Sequence, residues 1–176
     1  MTSGRTVVLV GCGSAKLDEE ARAADLYTSN YFQLKRDYAE IVGDNWRILS
    51  AEHGLIHPTQ RTLPYDTTIG DLTDVELEEW SETVFADVIS LVRDVSTGFT
   101  PRFVGKWIVL AGQDYIDPLK DPIFSNAGFD GEWIFPFQQH GFAGIGEQMA
   151  WLRQQIELHQ RSDASLEAFA GGVADD

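Results

Sequence analysis

The chain has 176 residues, with 28 acidic against 13 basic side chains and a formal net charge of -15, so it is long enough to bury a full core as one domain. Its single cysteine excludes an intrachain disulfide, and no stretch combines the length and the apolarity of a membrane span. Because no secretory h-region opens it, the sequence predicts a cytoplasmic protein with no membrane partner.

The acidic residues are unevenly distributed. Residues 1–63 hold seven Lys or Arg against eight Asp or Glu, so most of the acids lie further along. Phosphate binding draws its affinity from Lys and Arg, so the overall charge disfavours a nucleic-acid partner while the near-neutral first third allows one. Lysine is scarce as well, and a lysine-poor acidic surface is typical of proteins that work in concentrated salt. We therefore hypothesise a halophilic source.

The first predicted element is a strand that begins at Thr6 and ends at Gly11, because its aliphatic, β-branched run is typical of a strand buried on both faces of a parallel sheet. Ligands of such sheets bind at the carboxyl ends of the strands, where Cys12 and Lys16 follow. The spacing Gly11-x-Gly13-x-x-Lys16 matches neither the Walker pattern nor the dinucleotide fingerprint. It favours a tight strand exit, with a phosphate-binding loop as the alternative.

A helix is predicted from Ser29, a suitable N-cap, to Gly43, and a strand follows over 45–50. The connection over 54–71 contains two prolines and is too broken for a helix, although its length is typical of a functional loop. Thr73 and Glu76 form a capping box that predicts a helix to about Val95. Val75 belongs to its predicted buried stripe.

A third strand is predicted over 106–112, a short fourth over 132–135 and a closing helix over 144–160 with Ile145 facing inward. Strands that alternate with helices predict an α/β fold, here a single three-layer domain with a mainly parallel sheet of about four or five strands flanked by helices. We expect residues 1–161 to form this domain and the acidic residues 162–176 to form a disordered tail.

The ends of three predicted strands bring chemically useful side chains to one rim. Cys12 is a candidate nucleophile, Lys16 a candidate anion or carbonyl binder, and Glu52 with His53 a candidate acid–base pair. The structural alternatives are a small buried thiol, a solvated lysine and a hydrogen-bonded polar pair. The predicted substrate-binding residues are Ser14, Tyr27, Ser29, Tyr65, Asp66, Gln113 and Tyr115.

Two further groups of residues carry alternatives. His53 and His57 are four residues apart, but Gly54 and Pro58 disfavour a helix that would aim both at a metal, and no third ligand is evident. We therefore expect no metal site, and we assign no cofactor. The aromatic residues near the fourth strand could stack on a base, but are better explained as core: Trp133, Phe135, Phe137 and Phe142.

Several of these segments together resemble a known group of proteins. The stretches are 8–16, Asp25-Leu26-Tyr27-Thr28-Ser29, 47–58 around Glu52-His53-Gly54, and Leu63-Pro64-Tyr65-Asp66, with Ala111-Gly112-Gln113-Asp114-Tyr115 as a looser match. They are similar to domains of unknown function related to the YaaA peroxide-stress proteins. This resemblance implies a compact α/β fold and contact with DNA.

A fainter resemblance links Cys12, Lys16, Tyr27 and Ser29 to the Pro-Cys, Lys-Pro-Tyr, Ser and His motif in the central domain of archaeosine synthase. Gly11 and Phe32 stand where that motif has its proline and its histidine. The resemblance therefore implies a site related to nucleobase chemistry without specifying 7-deazaguanine chemistry.

We therefore predict a YaaA-like protein that acts on or binds a nucleobase or nucleotide, free or within DNA or RNA, by base modification or base removal. As an enzyme it would be a nucleobase- or nucleotide-modifying transferase or hydrolase. The first alternative is a non-catalytic DNA-binding stress-response protein that uses Arg36, Arg47 and Arg61. The second is a nucleotide-cofactor-binding α/β enzyme. The sequence leaves the oligomeric state open.

Overall fold

The computed structural model describes residues 4–93, 104–129 and 131–171. Its strands are, in chain order, β1 (Arg5–Gly11), β2 (Ala21–Arg22), β3 (Asn45–Ser50), β4 (Gly54–Ile56), β5 (Arg61–Thr62), β6 (Val104–Leu110) and β7 (Glu132–Ile134). Its α-helices are α1 (Ala23–Leu26), α2 (Asn30–Val42), α3 (Asp74–Arg93), α4 (Gln113–Ile116), α5 (Pro136–Gln139) and α6 (Ile145–Gly171).

The main sheet has five strands in the order β4-β3-β1-β6-β7, and β2 pairs separately with β5. Strands β3, β1, β6 and β7 run parallel, whereas β4 is antiparallel to β3 at the edge. The chain steps from β1 to β3 on one side and then crosses to β6 on the other side of β1. The strand order thus reverses between β1 and β6, which is the place where open α/β sheets bind ligands.

Helices cover both faces of the sheet. Val8 and Val10 of β1 pack on the face covered by α2 and α6, whereas Val7 and Leu9 pack on the face covered by α3. All four side chains are buried, because alternate residues of a strand point to opposite faces and both faces are covered. The predicted three-layer α/β architecture and its mainly parallel sheet are confirmed.

Two of the predicted helix starts are confirmed in detail. The Ser29 hydroxyl accepts a hydrogen bond from the Phe32 amide at 3.1 Å and caps α2, which ends before Gly43. At the start of α3, the Thr73 amide donates to the Glu76 carboxylate at 2.8 Å, as a capping box requires. The predicted end of this helix near Val95 lies outside the described residues.

The predicted inward faces of Val75 and Ile145 are wrong. These side chains are 66% and 56% exposed. Both stand in the first turn of their helix, and the apolar stripe reaches the sheet only later, where Trp80 and Leu152 are buried. Helical spacing predicts a stripe but not the turn at which it meets its packing partner.

The closing helix is longer than predicted. Instead of ending at Gln160, α6 continues to Gly171, and its residues 161–169 are exposed. This acidic stretch contains strong helix formers such as Ala and Leu, and the disordered tail expected from Ser162 stays a prediction. Residues 172–176 lie outside the described residues, and the domain boundary at 161 stays a prediction.

The connection over 54–71 holds more structure than predicted, with β4, β5 and a 3-10 turn (Ile69–Asp71). Gly54 makes the turn from β3 to β4 with a φ of 70°, and a Cβ there would lie 2.7 Å from Asp87 Oδ2. Glycine is therefore required on both conformational and steric grounds. Throughout the described residues, every helix is too short or too polar to cross a lipid bilayer.

Candidate functional site

Cys12 lies directly after β1, beside the point where the strand order reverses. Its amide donates to the Leu49 carbonyl at 3.0 Å and so extends the pairing of β1 with β3 by one residue. Its Sγ lies 3.1 Å from the hydroxyl of Tyr115, which belongs to α4 after β6. The thiol and this phenol therefore meet across the two strands that flank the switch point. The structure brings together Cys12 and Tyr115 as predicted site residues.

Lys35 is a site residue that the sequence analysis missed. Its side chain is 3% exposed, and Nζ donates to the Gly11 carbonyl at 2.7 Å. That carbonyl belongs to the peptide bond between Gly11 and Cys12, so the ammonium lies within about 6 Å of Cys12 Cα. Nζ also lies 4.5 Å from the centre of the Tyr31 ring. A charge on the otherwise apolar face of α2, three residues after Phe32, is the signal that could have revealed it.

In the part of the chain that the structure describes, the charge of Lys35 has no carboxylate to balance it. Among the described residues it takes part in no ion pair with an acidic side chain. Burial lowers the pKa of Lys35 to about 8, and the negative charge of a Cys12 thiolate acts in the opposite direction. The neighbouring thiol is therefore the group whose ionisation would compensate this buried cation.

A chain of hydroxyl groups joins three segments near Cys12, and we call Ser50, Tyr65 and Tyr27 the hydroxyl chain. Ser50 Oγ accepts the amide hydrogens of Glu52 at 3.2 Å and of His53 at 3.1 Å. With both lone pairs occupied, its hydroxyl is left to donate to Tyr65 Oη at 2.7 Å. Tyr65 Oη and Tyr27 Oη share the next hydrogen bond, at 2.7 Å.

The three phenols around the thiol are held in their protonated form. Burial is the main cause that raises the pKa of Tyr27, Tyr65 and Tyr115, and the charge of a Cys12 thiolate raises each further. At neutral pH these hydroxyls therefore act as hydrogen-bond donors rather than as bases. A group of fixed donors is suited to an oxygen or nitrogen atom that gains negative charge.

Lys16 lies beside Tyr27 and Tyr65 of the hydroxyl chain. Its backbone pairs with that of Tyr27 in an isolated antiparallel bridge, and its Nζ lies 4.3 Å from the centre of the Tyr65 ring. The ammonium also bonds the Ser14 carbonyl at 3.4 Å. Because Lys16 is only partly buried, its charge remains accessible to an anionic group of a ligand.

The structure places the side chains of the predicted pair, Glu52 and His53, in different surroundings. The His53 ring packs edge-on against the Tyr65 ring at 5.1 Å, so His53 borders the cluster. The Glu52 carboxylate instead accepts a hydrogen bond from the Thr67 hydroxyl and lines a separate pocket beside α3. The two side chains leave the same turn in different directions.

The other predicted site residues occupy varied positions. Ser29 caps α2, which accounts for its side chain without a ligand. Ser14 and Asp66 are exposed. Gln113 bonds the Asp117 carboxylate at 2.5 Å and lines another pocket, at the carboxyl end of β6. A substrate-binding role for these four residues stays a prediction.

The three arginines proposed for DNA contact are engaged with other groups. Arg36 forms ion pairs with Asp25 at 3.6 Å and Asp37 at 3.4 Å, and Arg61 pairs with Glu20 at 3.0 Å. Arg47 bonds the Trp46 carbonyl at 2.9 Å. Neighbouring carboxylates lower the positive potential that phosphate binding needs.

The fold and the site define a class of protein. It is a doubly wound α/β domain with a thiol, two lysines and three phenols near its switch point. The chain belongs to a family of unknown function, DUF6884, whose family model matches residues 7–154. All the candidate residues described above lie within that range.

One relative is "Uncharacterized protein YfjM" of Bacillus subtilis (strain 168), which is 32% identical over 101 residues, covering 50% of this chain and 67% of that protein. No solved structure matches the chain. Membership of a family of unknown function is thus shown, and a relationship to YaaA or to archaeosine synthase stays a prediction.

Proposed function

We propose that the protein is an enzyme that uses Cys12 as a nucleophile on a nucleobase or nucleotide, free or within nucleic acid. The observation that carries this proposal is the position of Cys12 at the switch point, where Sγ lies 3.1 Å from the Tyr115 hydroxyl and the buried Lys35 bonds the adjacent Gly11 carbonyl. The thiolate is the nucleophilic form of cysteine, and a nearby cation favours it. Lys35 has no carboxylate partner among the described residues, so its charge is available for that purpose.

Each of the surrounding residues has its own role in this proposal. Addition of the thiolate to an electron-poor ring carbon forms a C–S bond and moves an electron pair onto a ring nitrogen or carbonyl oxygen. The partly exposed Tyr115 hydroxyl, 3.1 Å from Sγ, can stabilise that atom by a hydrogen bond. The partly exposed Lys16 can bind a phosphate or another anionic group. Tyr115 contacts the sulfur, and Lys35 supplies a positive charge beside the Gly11–Cys12 peptide bond.

Two observations support a nucleobase as the substrate. Tyr115 contacts the thiol, and the linked phenols of Tyr27 and Tyr65 add aromatic rings and hydroxyl groups near it, a combination that suits a planar polar ring. The resemblances to YaaA-like domains and to archaeosine synthase point to the same class of substrate. The binding-only alternative has weaker support, since Arg36 and Arg61 are paired with carboxylates. The cofactor-binding alternative rests on the glycine turn alone.

The experiment is a turnover panel read by mass spectrometry. The purified chain is incubated with the DNA and RNA bases as free bases, nucleotides and oligonucleotides, and each reaction is searched for released or modified base. We expect conversion by the unmodified chain and none by Cys12→Ser. The matched control is Asp18→Asn, which changes an exposed residue of the loop that follows β1 and contains Cys12. It should retain activity. Equal conversion by Cys12→Ser, or no conversion across the panel, would contradict the proposal.

A further inference from the structure

A second pocket lies beside the candidate site, at the carboxyl end of β6. Its volume is about 420 Å³, and α4, α5 and the turns between β6 and β7 form its walls. Small-molecule sites in proteins have volumes of a few hundred cubic ångströms and occur where the strands of open α/β sheets end. We call it the amide pocket, after the lining residues that set its chemistry: Gln113, Phe124, Phe135, Gln138 and Gln139.

The walls combine aromatic faces with amide groups. The rings of Phe124 and Phe135 meet edge to face, with centroids 5.0 Å apart. Three glutamine side chains supply both donors and acceptors to the same cavity. A flat ring needs an aromatic surface to stack on, and an edge with adjacent N–H and C=O groups needs amide partners. Nucleobases present both features in one ligand.

One amide has an unused acceptor. Gln138 Nε2 donates to the Ala111 carbonyl at 3.0 Å, which fixes the orientation of the amide because a flipped group would place two oxygens together. Its Oε1 is then enclosed without a hydrogen-bond donor among the described residues. A buried acceptor without a donor is unfavourable, and because Oε1 has almost no accessible surface, an N–H group of a ligand would satisfy it once the Gln138 side chain shifts toward the pocket.

The amide pocket is connected to the candidate site through α4 and β6. Gln113 lines the pocket, while Tyr115 two residues later reaches Cys12 with its hydroxyl. Ala111, which holds the Gln138 amide, lies against Gly11, where a Cβ would stand only 3.2 Å from the Ala111 Cβ. The pocket wall and the thiol are thus fixed to the same two strand ends.

We propose that the amide pocket binds the base of a nucleoside or nucleotide other than the one that Cys12 attacks, with Phe135 as the stacking surface and Gln138 Oε1 accepting a ring or amino N–H. The choice of a nucleobase rests on the proposed function, and the pocket itself rests on its own lining residues. Loss of the stacking ring should weaken binding by about tenfold or more, since one base–aromatic stack contributes that much by alanine substitution.

The test measures binding without chemistry, in the Cys12→Ser background. Adenosine, guanosine, cytidine and uridine are titrated separately and followed by protein-observed NMR. Phe135→Leu and Gln138→Met are the test variants, and circular dichroism confirms that each is folded. Phe129→Leu is the matched control for the first, because Phe129 is also half-buried but packs on Phe85 outside the pocket. Gln154→Met, exposed on α6, is the control for the second.

We expect at least one nucleoside to bind, and both test variants to weaken it about tenfold while both controls leave it unchanged. Equal affinity in test and control variants would overturn the amide pocket as the base site while leaving the proposed function intact. Weakening by Phe135→Leu alone would overturn the role of Gln138. If no nucleoside binds, the pocket proposal falls, and the proposed function is decided separately by the turnover panel.

Discussion

At the scale of single residues, Lys35 decides how Cys12 is interpreted. The cysteine could be predicted as a candidate because it follows a buried strand, and Tyr115 because it follows another. Lys35 could not, since its position beside the thiol depends on how α2 packs on β1. Glu52 follows β3 as predicted, but its side chain turns toward Thr67 and not toward Cys12. The sequence predicts that a residue follows a strand, but it does not predict the direction of the side chain after a turn.

The buried ammonium of Lys35 makes stability depend on pH in a defined window. Burial lowers its pKa to about 8, from 10.5. Between these values the unfolded chain holds a proton that the folded protein has released, so the free energy of unfolding rises as pH increases. Above about pH 10 the raised pKa values of Tyr27 and Tyr65 act in the opposite direction, because the unfolded phenols ionise first.

Urea unfolding between pH 7.5 and pH 9.5 should therefore show a rise in stability for the unmodified chain, on the order of 1 kcal/mol. Lys35→Met retains an unbranched apolar side chain without the charge and should lack this rise. We also expect Lys35→Met to be no less stable at pH 7, because the variant buries no ammonium. Parallel pH curves for the two proteins would show that Lys35 does not titrate in this window.

At the scale of elements, the sequence predicted what depends on local patterns. The buried runs of β1 and β6, the Ser29 cap and the capping box at Thr73 all depend on residues close together in sequence. Strand β4 was missed because three residues are too few to show alternation, and its turn depends on Gly54. The exposed positions of Val75 and Ile145 depend on where each helix meets the sheet, which is set by distant residues.

Ser29 offers a test that separates an element's stability from the site's function. It was predicted both to cap α2 and to contact substrate. Loss of the bond to the Phe32 amide in Ser29→Ala should lower the free energy of unfolding by about 1 kcal/mol. Ser90→Ala, an exposed serine within α3, is the control and should change stability little. A Ser29→Ala protein of unchanged stability would indicate that the capping bond contributes nothing.

At the scale of the whole molecule, the order of the strands explains where the candidate site lies. Because the chain crosses between β1 and β6, their carboxyl ends lie side by side at the point where the strand order reverses. The fold class could be predicted from the alternation of strands and helices, but the switch point requires the strand order, which local patterns do not contain. The net charge of -15 belongs to this scale too. The halophilic hypothesis that it suggests stays a prediction.

The central claim is that Lys35 supports a reactive thiolate at Cys12. Alkylation by iodoacetamide tests it most directly, because the chain has a single cysteine and the reaction therefore reports on Cys12 alone. The thiolate attacks the carbon that bears iodine, a C–S bond forms and iodide leaves. The rate is measured from pH 5 to pH 10 for the unmodified chain, for Lys35→Met and for Lys106→Met, an exposed lysine of β6.

We expect Lys35→Met to slow the alkylation at neutral pH by about tenfold, because the variant lacks the cation that favours the thiolate. Lys106→Met, which loses the same charge far from the thiol, should follow the unmodified chain. Coincident profiles for Lys35→Met and the unmodified chain would contradict the account.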